Sequence, residues 1–156
     1  MSALQALHEA SSLGVRVKIQ AGQIVIGYLR EPPEAVVSLL RANESALFMI
    51  LSAREMATAT LAAERPYDCS EVRWARAMHG LKRFVDDGWS DKAALLGWTG
   101  LELFRLPALW SRVDLAGAAL LIDDRRVVAV TEASIVIETP AGASLKFRRL
   151  GREHLA

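Results

Sequence analysis

The sequence predicts an α+β protein. Apolar residues recur at helical spacing through most of the first two thirds, and the period switches to two between Val15 and Tyr28. From Val113 onward, short apolar runs alternate with turn residues, the pattern of an antiparallel meander. A chain of 156 residues fits one average domain or two small ones. At this size folding removes roughly 68–70% of the extended chain's surface from water, enough for a core without staples. Hydrophobic residues make up 52% and mean hydropathy is +0.20, which excludes a disordered chain. With 19 basic and 18 acidic residues the net charge is +1, so no global field draws the protein onto nucleic acid or an anionic membrane.

Leu4, Leu7 and, after Ala10, the region up to Leu13 give helical spacing over residues 2–12, and Gly14 stands in the position favoured for a helix C-cap. Val15, Val17 and Ile19 then alternate with Arg16, Lys18 and Gln20. After a turn at Ala21-Gly22-Gln23, Ile24, Ile26 and Tyr28 alternate again, so residues 15–29 form a β-hairpin. Glu31-Pro32-Pro33-Glu34 stops the second strand and opens a helix, because proline is tolerated in a first turn. Val36, Val37, Leu39 and Leu40 give that helix its apolar face. A break at Asn43, a good N-cap, precedes a second helix through Leu47, Phe48, Ile50 and Leu51 to about Ala63.

Glu64-Arg65-Pro66-Tyr67-Asp68 punctuates the chain and divides it into residues 1–64 and 66–156. Ser70 caps a helix running to about Asp87, with Trp74, Met78, Leu81 and Val85 as one apolar stripe and Gly88 closing it. Ser90 caps a short helix that Gly97 ends. Thr99-Gly100-Leu101-Glu102 matches the capping box, flanked by Trp98 and Leu103 at the staple positions, and Pro107 stops that helix. Candidate strands occupy residues 118–122, 127–131, 134–138 and 144–149, joined by short turns. Trp74, Trp89, Trp98 and Trp110 are chiefly core anchors, with one or two available as interface hot spots.

Chemistry-bearing constellations are absent from the pattern. Cys69 is the only cysteine, which excludes an intramolecular disulfide and suits a cytoplasmic protein. It sits beside a helix N-terminus, but His8, His79 and His154 are scattered and form no nucleophilic pair with it. No His/Cys spacing suits a metal, and Asp86-Asp87 and Asp123-Asp124 read as helix-end and turn carboxylates. The glycines form no phosphate-binding loop. No catalytic residue, metal site or cofactor is therefore expected, and the protein is expected not to be an enzyme. The N-terminus lacks the basic and apolar regions of a signal peptide, and no apolar run approaches the ~20 residues that span a bilayer.

The order helix, hairpin, helix, helix over residues 3–55 resembles the TubC-type N-terminal docking domain found at the ends of nonribosomal peptide synthetase and hybrid polyketide synthase subunits. Leu4, Leu7, Leu13-Gly14-Val15, Val17, Gly22, Ile24 and Ile26 carry the resemblance, with Leu39-Leu40 and Leu47 where the family places its paired helices. Asn43-Glu44 departs from the basic residue the family has near the start of the last helix. The resemblance implies a homodimer and a hairpin edge that accepts a short peptide from another chain. By that analogy the partner-binding residues are Arg16, Lys18, Ile24, Ile26, Tyr28 and Arg30, and the three cations favour an acidic peptide.

A second reading rests on basic residues of the second segment. Arg73, Arg76 and Arg83 share a helix face opposite the Trp74 stripe, with Lys82 nearby, and Lys146 and Arg148 alternate on a strand before Arg149. If the two sets converge they make a phosphate-tracking patch, although this segment holds 13 basic and 12 acidic residues. Leu95-Leu96-Gly97-Trp98 and Glu102-Leu103-Phe104 resemble short proteins of bacterial mobile elements. That likeness implies a regulator or inhibitor of a nucleic-acid-processing complex. The leading expectation is a non-enzymatic adaptor acting through the hairpin.

Overall fold

The computed structural model describes residues 2–65, 67, 69–104, 126–138 and 141–149. The fold is α+β, with six helices and two small antiparallel sheets among these residues. It divides into two compact units, Met1–Ser52 and Ala53–Ala156.

In the first unit, α1 (Ala3–Ser12) opens with a capping box: the Ser2 hydroxyl accepts from the Gln5 amide, and the Gln5 side chain accepts from the Ser2 amide. Its buried face is Ala3, Ala6 and Ala10, whereas Leu4 and Leu7, expected to lead, are half-buried. Small side chains let the helix lie close to its neighbours β1 and α2. At its end Gly14 has φ +75°, with bonds from the Gly14 amide to Ser11 O and from the Val15 amide to Ala10 O. This is a Schellman motif, and it turns the chain directly into the hairpin with Val15 buried.

Strands β1 (Arg16–Gln20) and β2 (Gln23–Gly27) pair antiparallel, Gln20 opposite Gln23 and Arg16 opposite Gly27. The turn is two residues, not the three expected, and Gln23 belongs to β2. Ala21 and Gly22 both have positive φ, +52° and +75°, as a type I′ turn demands. Alanine tolerates this region poorly, so Ala21→Gly is expected to stabilise the chain by about 1 kcal/mol in urea unfolding.

Pro33 is the N-cap of α2 (Glu34–Ala42), which buries Val36 and Leu40. Asn43 does break the helices, but as the C-cap of α2. Its side-chain amide donates back to Leu39 O while its own carbonyl starts α3 (Glu44–Leu61) by accepting from Leu47. The two helices bend by 79° there. No single helix among the described residues is long and apolar enough to cross a membrane.

The units part at Ser52, inside α3, rather than at the punctuated stretch 64–68. The second half of α3 explains this. Ala53, Ala57 and Thr60 are buried, and the Thr60 hydroxyl lies 3.4 Å from Phe104 O. A Cβ built on Gly100 would stand 2.9 Å from Met56 Cβ and 3.3 Å from Ala53 Cα. Glycine alone allows this approach, so Gly100→Ala is expected to cost about 1–3 kcal/mol in thermal or urea unfolding.

Ser70 caps α4 (Glu71–Asp86), accepting from the Arg73 amide. The buried stripe is Ala77, Gly80, Leu81 and Phe84, rotated from the expected one; Trp74, Met78 and Val85 are half-buried. Phe84 meets Phe104 edge-on at 6.2 Å. Gly88, at φ +82°, is the N-cap of α5 (Trp89–Leu95), and Ser90 lies buried inside that helix instead of capping it. A second Schellman motif ends α5 at Gly97, φ +93°, with the Trp98 amide on Ala93 O and the Gly97 amide on Ala94 O. The expected capping box opens α6 (Gly100–Phe104): Thr99 Oγ1 accepts from the Glu102 amide and Glu102 Oε1 from the Thr99 amide.

The second sheet is the expected meander of β3 (Arg126–Val130), β4 (Ser134–Glu138) and β5 (Ser144–Arg148), in that order. Val130, Ile135 and Ile137 bury its inner face, and α5 packs on β3. The expected strand at 118–122, Pro107, Trp110 and Asp123-Asp124 lie outside the described residues.

Candidate interaction surface

The hairpin is a two-stranded sheet. A two-residue turn closes on a hydrogen-bonded pair, so the alternation of an antiparallel ladder fixes which backbone groups face inward. Gln20/Gln23, Lys18/Val25 and Arg16/Gly27 bond to each other, by the register given. The amides and carbonyls of Ile24 and Ile26 therefore point away from β1, and those of Val17 and Ile19 away from β2. Among the described residues no backbone hydrogen bond reaches these outer edges.

Beside β2 lies a groove of about 420 Å³, bounded by Ile24 and Ile26 on one wall and by Val37, Leu40, Arg41 and Glu44 on the other. Both isoleucines are only half-buried. The α2 wall was not among the expected site residues. Its signal is the i, i+3, i+4 spacing of Val37, Leu40 and Arg41, which places them on one face of α2, while Glu44 opens α3 beyond the bend. Arg41 is exposed, and its 3.9 Å approach to the equally exposed Glu34 contributes little.

The structure places Arg16, Lys18, Tyr28 and Arg30 in solvent. Arg16 and Lys18 stand on the face opposite Ile24 and Ile26, across from Gly27 and Val25. Segment 15–30 carries these three cations and no acidic residue, so the hairpin is locally positive although the whole chain is nearly neutral.

The second basic set does not survive intact. Arg73 and Arg76 are exposed, but Lys82 is paired with Asp86 at 2.5 Å, one turn on. Arg83 is half-buried and already takes part in an interaction. Lys146 and Arg148 are exposed on the outward face of β5, where charges discourage edge-to-edge pairing. The helix packed on the sheet is α5, against β3, while β5 is the opposite edge strand, so α4 and β5 are not packed neighbours.

Arg149 is engaged within the second unit. Its Nε and Nη2 bond to Glu102 at 2.6 and 2.9 Å, Nη2 also reaches Gly97 O at 2.8 Å, and its guanidinium stacks 5.5 Å from the Trp98 ring centroid. Trp98 in turn donates to Thr131 O at 2.8 Å. The side chains are 18% and 9% exposed for Arg149 and Glu102, so this is a largely desolvated pair. Burial pushes the Glu102 carboxyl up, but the bonds from Arg149 and from the Thr99 amide and hydroxyl outweigh it and hold the carboxyl below its ordinary range. These residues join α6 to the sheet.

Cys69 is buried, its thiol 3.4 Å from Ser70 O. Among the described residues no group of three or more His, Cys, Asp or Glu is placed to hold a metal ion. No protein-family model, curated protein or solved structure matches the chain.

Proposed function

We propose that this chain is a non-enzymatic, cytoplasmic adaptor whose first unit takes an extended, acidic segment of another protein onto the free edge of β2. The observation that carries the reading is the outward backbone of Ile24 and Ile26, which has no backbone partner among the described residues, alongside a half-apolar groove. A strand laid there gains main-chain hydrogen bonds, while alternate side chains enter the groove against Val37 and Leu40. The cations of segment 15–30 raise the encounter rate with an acidic partner and disfavour basic ones. The resemblance of residues 3–55 to TubC-type docking domains points the same way.

The test is affinity capture from the native host with mass spectrometry, repeated with three variants. The captured protein is expected to be lost with Ile26→Pro, weakened with Lys18→Glu, and retained when Arg73, Arg76 and Arg83 are changed to alanine. The opposite pattern, with affinity falling steeply as salt rises, belongs to the second reading, a regulator touching nucleic acid through the exposed Arg73 and Arg76.

A further inference from the structure

A cleft of about 530 Å³ opens at the end of the hairpin away from the Ala21-Gly22 turn, bounded by Gly14, Val15, Arg16, Gly27, Tyr28 and Leu29. It is built by the Schellman motif, which sets Gly14 and Val15 beside the start of β1, and by Tyr28 and Leu29, which follow the last paired residue of β2 as the chain bends at Leu29-Arg30. Large apolar side chains gather there uncovered. Leu29 is fully exposed and Tyr28 is 49% exposed. Each alone is an ordinary surface residue; two lining one cleft form an uncovered apolar patch. Arg16 lines the cleft and Arg30 follows Leu29, so its surroundings are cationic.

We infer that this cleft receives a bulky apolar side chain at one end of the acidic segment that pairs with β2. The inference rests on the proposed edge pairing and adds to it the chemistry that selects the partner. The line from Ile24 to Tyr28 covers four strand steps, about 13 Å, which about five partner residues match. Its outward backbone groups fall at Ile24 and Ile26, and Tyr28 comes two residues on, so the anchor lies two residues from the one opposite Ile26. The ligand is thus a short extended stretch with acidic residues along its length and one Leu, Phe, Trp or similar side chain at the Tyr28 end. Backbone pairing supplies generic affinity, the cations exclude basic segments, and the cleft distinguishes one acidic segment from another.

The test is selection of a random linear peptide library, displayed on phage, against the full chain. A fluorescein-labelled synthetic peptide of the enriched sequence is then titrated by anisotropy. Enriched peptides are expected to be acidic and to share one bulky apolar position near an end. Leu29→Ser is expected to weaken the peptide about tenfold. Changing the peptide's own anchor to alanine should cause a similar loss, and the two changes together little more than either alone. Leu29 is fully exposed, so its replacement leaves folding intact, which circular dichroism and the unfolding midpoint verify. If Ile26→Pro abolishes binding while Leu29→Ser and Tyr28→Ser leave it unchanged, the anchor is refuted and edge pairing stands. If no enriched peptide responds to Ile26→Pro, both are refuted.

Discussion

Arg149→Met is expected to lower the unfolding free energy by about 2–3 kcal/mol, a drop in midpoint of roughly 5–10 °C. The guanidinium satisfies both Glu102 oxygens and the Gly97 carbonyl at once, with each side chain mostly out of water. Removing it leaves a carboxylate with little solvent and only the Thr99 capping bonds, and that uncompensated charge sets the cost. Glu102→Gln in the Arg149→Met background is accordingly expected to recover part of the loss, because it removes the stranded charge.

The same pair sets a pH dependence. The folded Glu102 carboxyl titrates below its unfolded counterpart, so the unfolded chain binds more protons in acid. The stabilisation is complete above the unfolded value of roughly 4.3 and is lost as pH falls through the lower, folded one. Urea unfolding at neutral pH and at about pH 3 is expected to show a smaller acid loss for Glu102→Gln than for the parent chain. An acid loss as steep in the variant would mean that other carboxylates dominate. Loss of the Arg149–Glu102 pair loosens the second unit, so an Arg149 variant is assayed for folding before it is assayed for binding.

Ile26→Pro is expected to weaken partner binding by on the order of 10–100-fold while leaving the hairpin formed. Proline removes the amide of Ile26, which points outward and has no partner among the described residues, so no rung of the β1–β2 ladder is lost. Val25 before it is extended, as proline requires. Gln20→Ala, beside the turn on the uncovered face, is the matched control and should change binding less than twofold. Lys18→Glu should act differently, slowing association in a salt-dependent way, because an exposed charge steers the encounter more than it holds the complex.

Much of the fold was legible because its signals are local. The hairpin follows from the alternation on both sides of Gly22, the α2–α3 break from Asn43, and the α6 start from Thr99 and Glu102 three residues apart. Helix faces were harder to read. Helix α1 buries Ala3, Ala6 and Ala10, and α4 centres its stripe on Ala77 and Gly80 rather than Trp74. Close approach favours small residues, whose weak hydropathy leaves little trace in a periodicity argument, while large side chains such as Trp74 sit at the rim. Ser90 misled in a related way: it is a good capping residue by type, but Gly88 with its positive φ sets where α5 begins.

The expected edge strand and its cations were readable as residue types, while the groove wall of Val37, Leu40, Arg41 and Glu44 depends on where α2 and the start of α3 sit against the hairpin. Arg149 could not have been assigned from sequence. Its partner Glu102 is 47 residues away, and a basic residue at a strand end looks alike whether solvated or locked.

Residue-resolved backbone hydrogen exchange on the free chain addresses the open edge most directly. Ile24 and Ile26 amides are predicted to exchange far faster than those of Val25 and Gly27, their inward-facing neighbours on the same strand, and to become protected when an acidic peptide binds. Equal, strong protection of all four amides in the free monomer would mean that the β2 edge is already paired, and the adaptor account would be wrong.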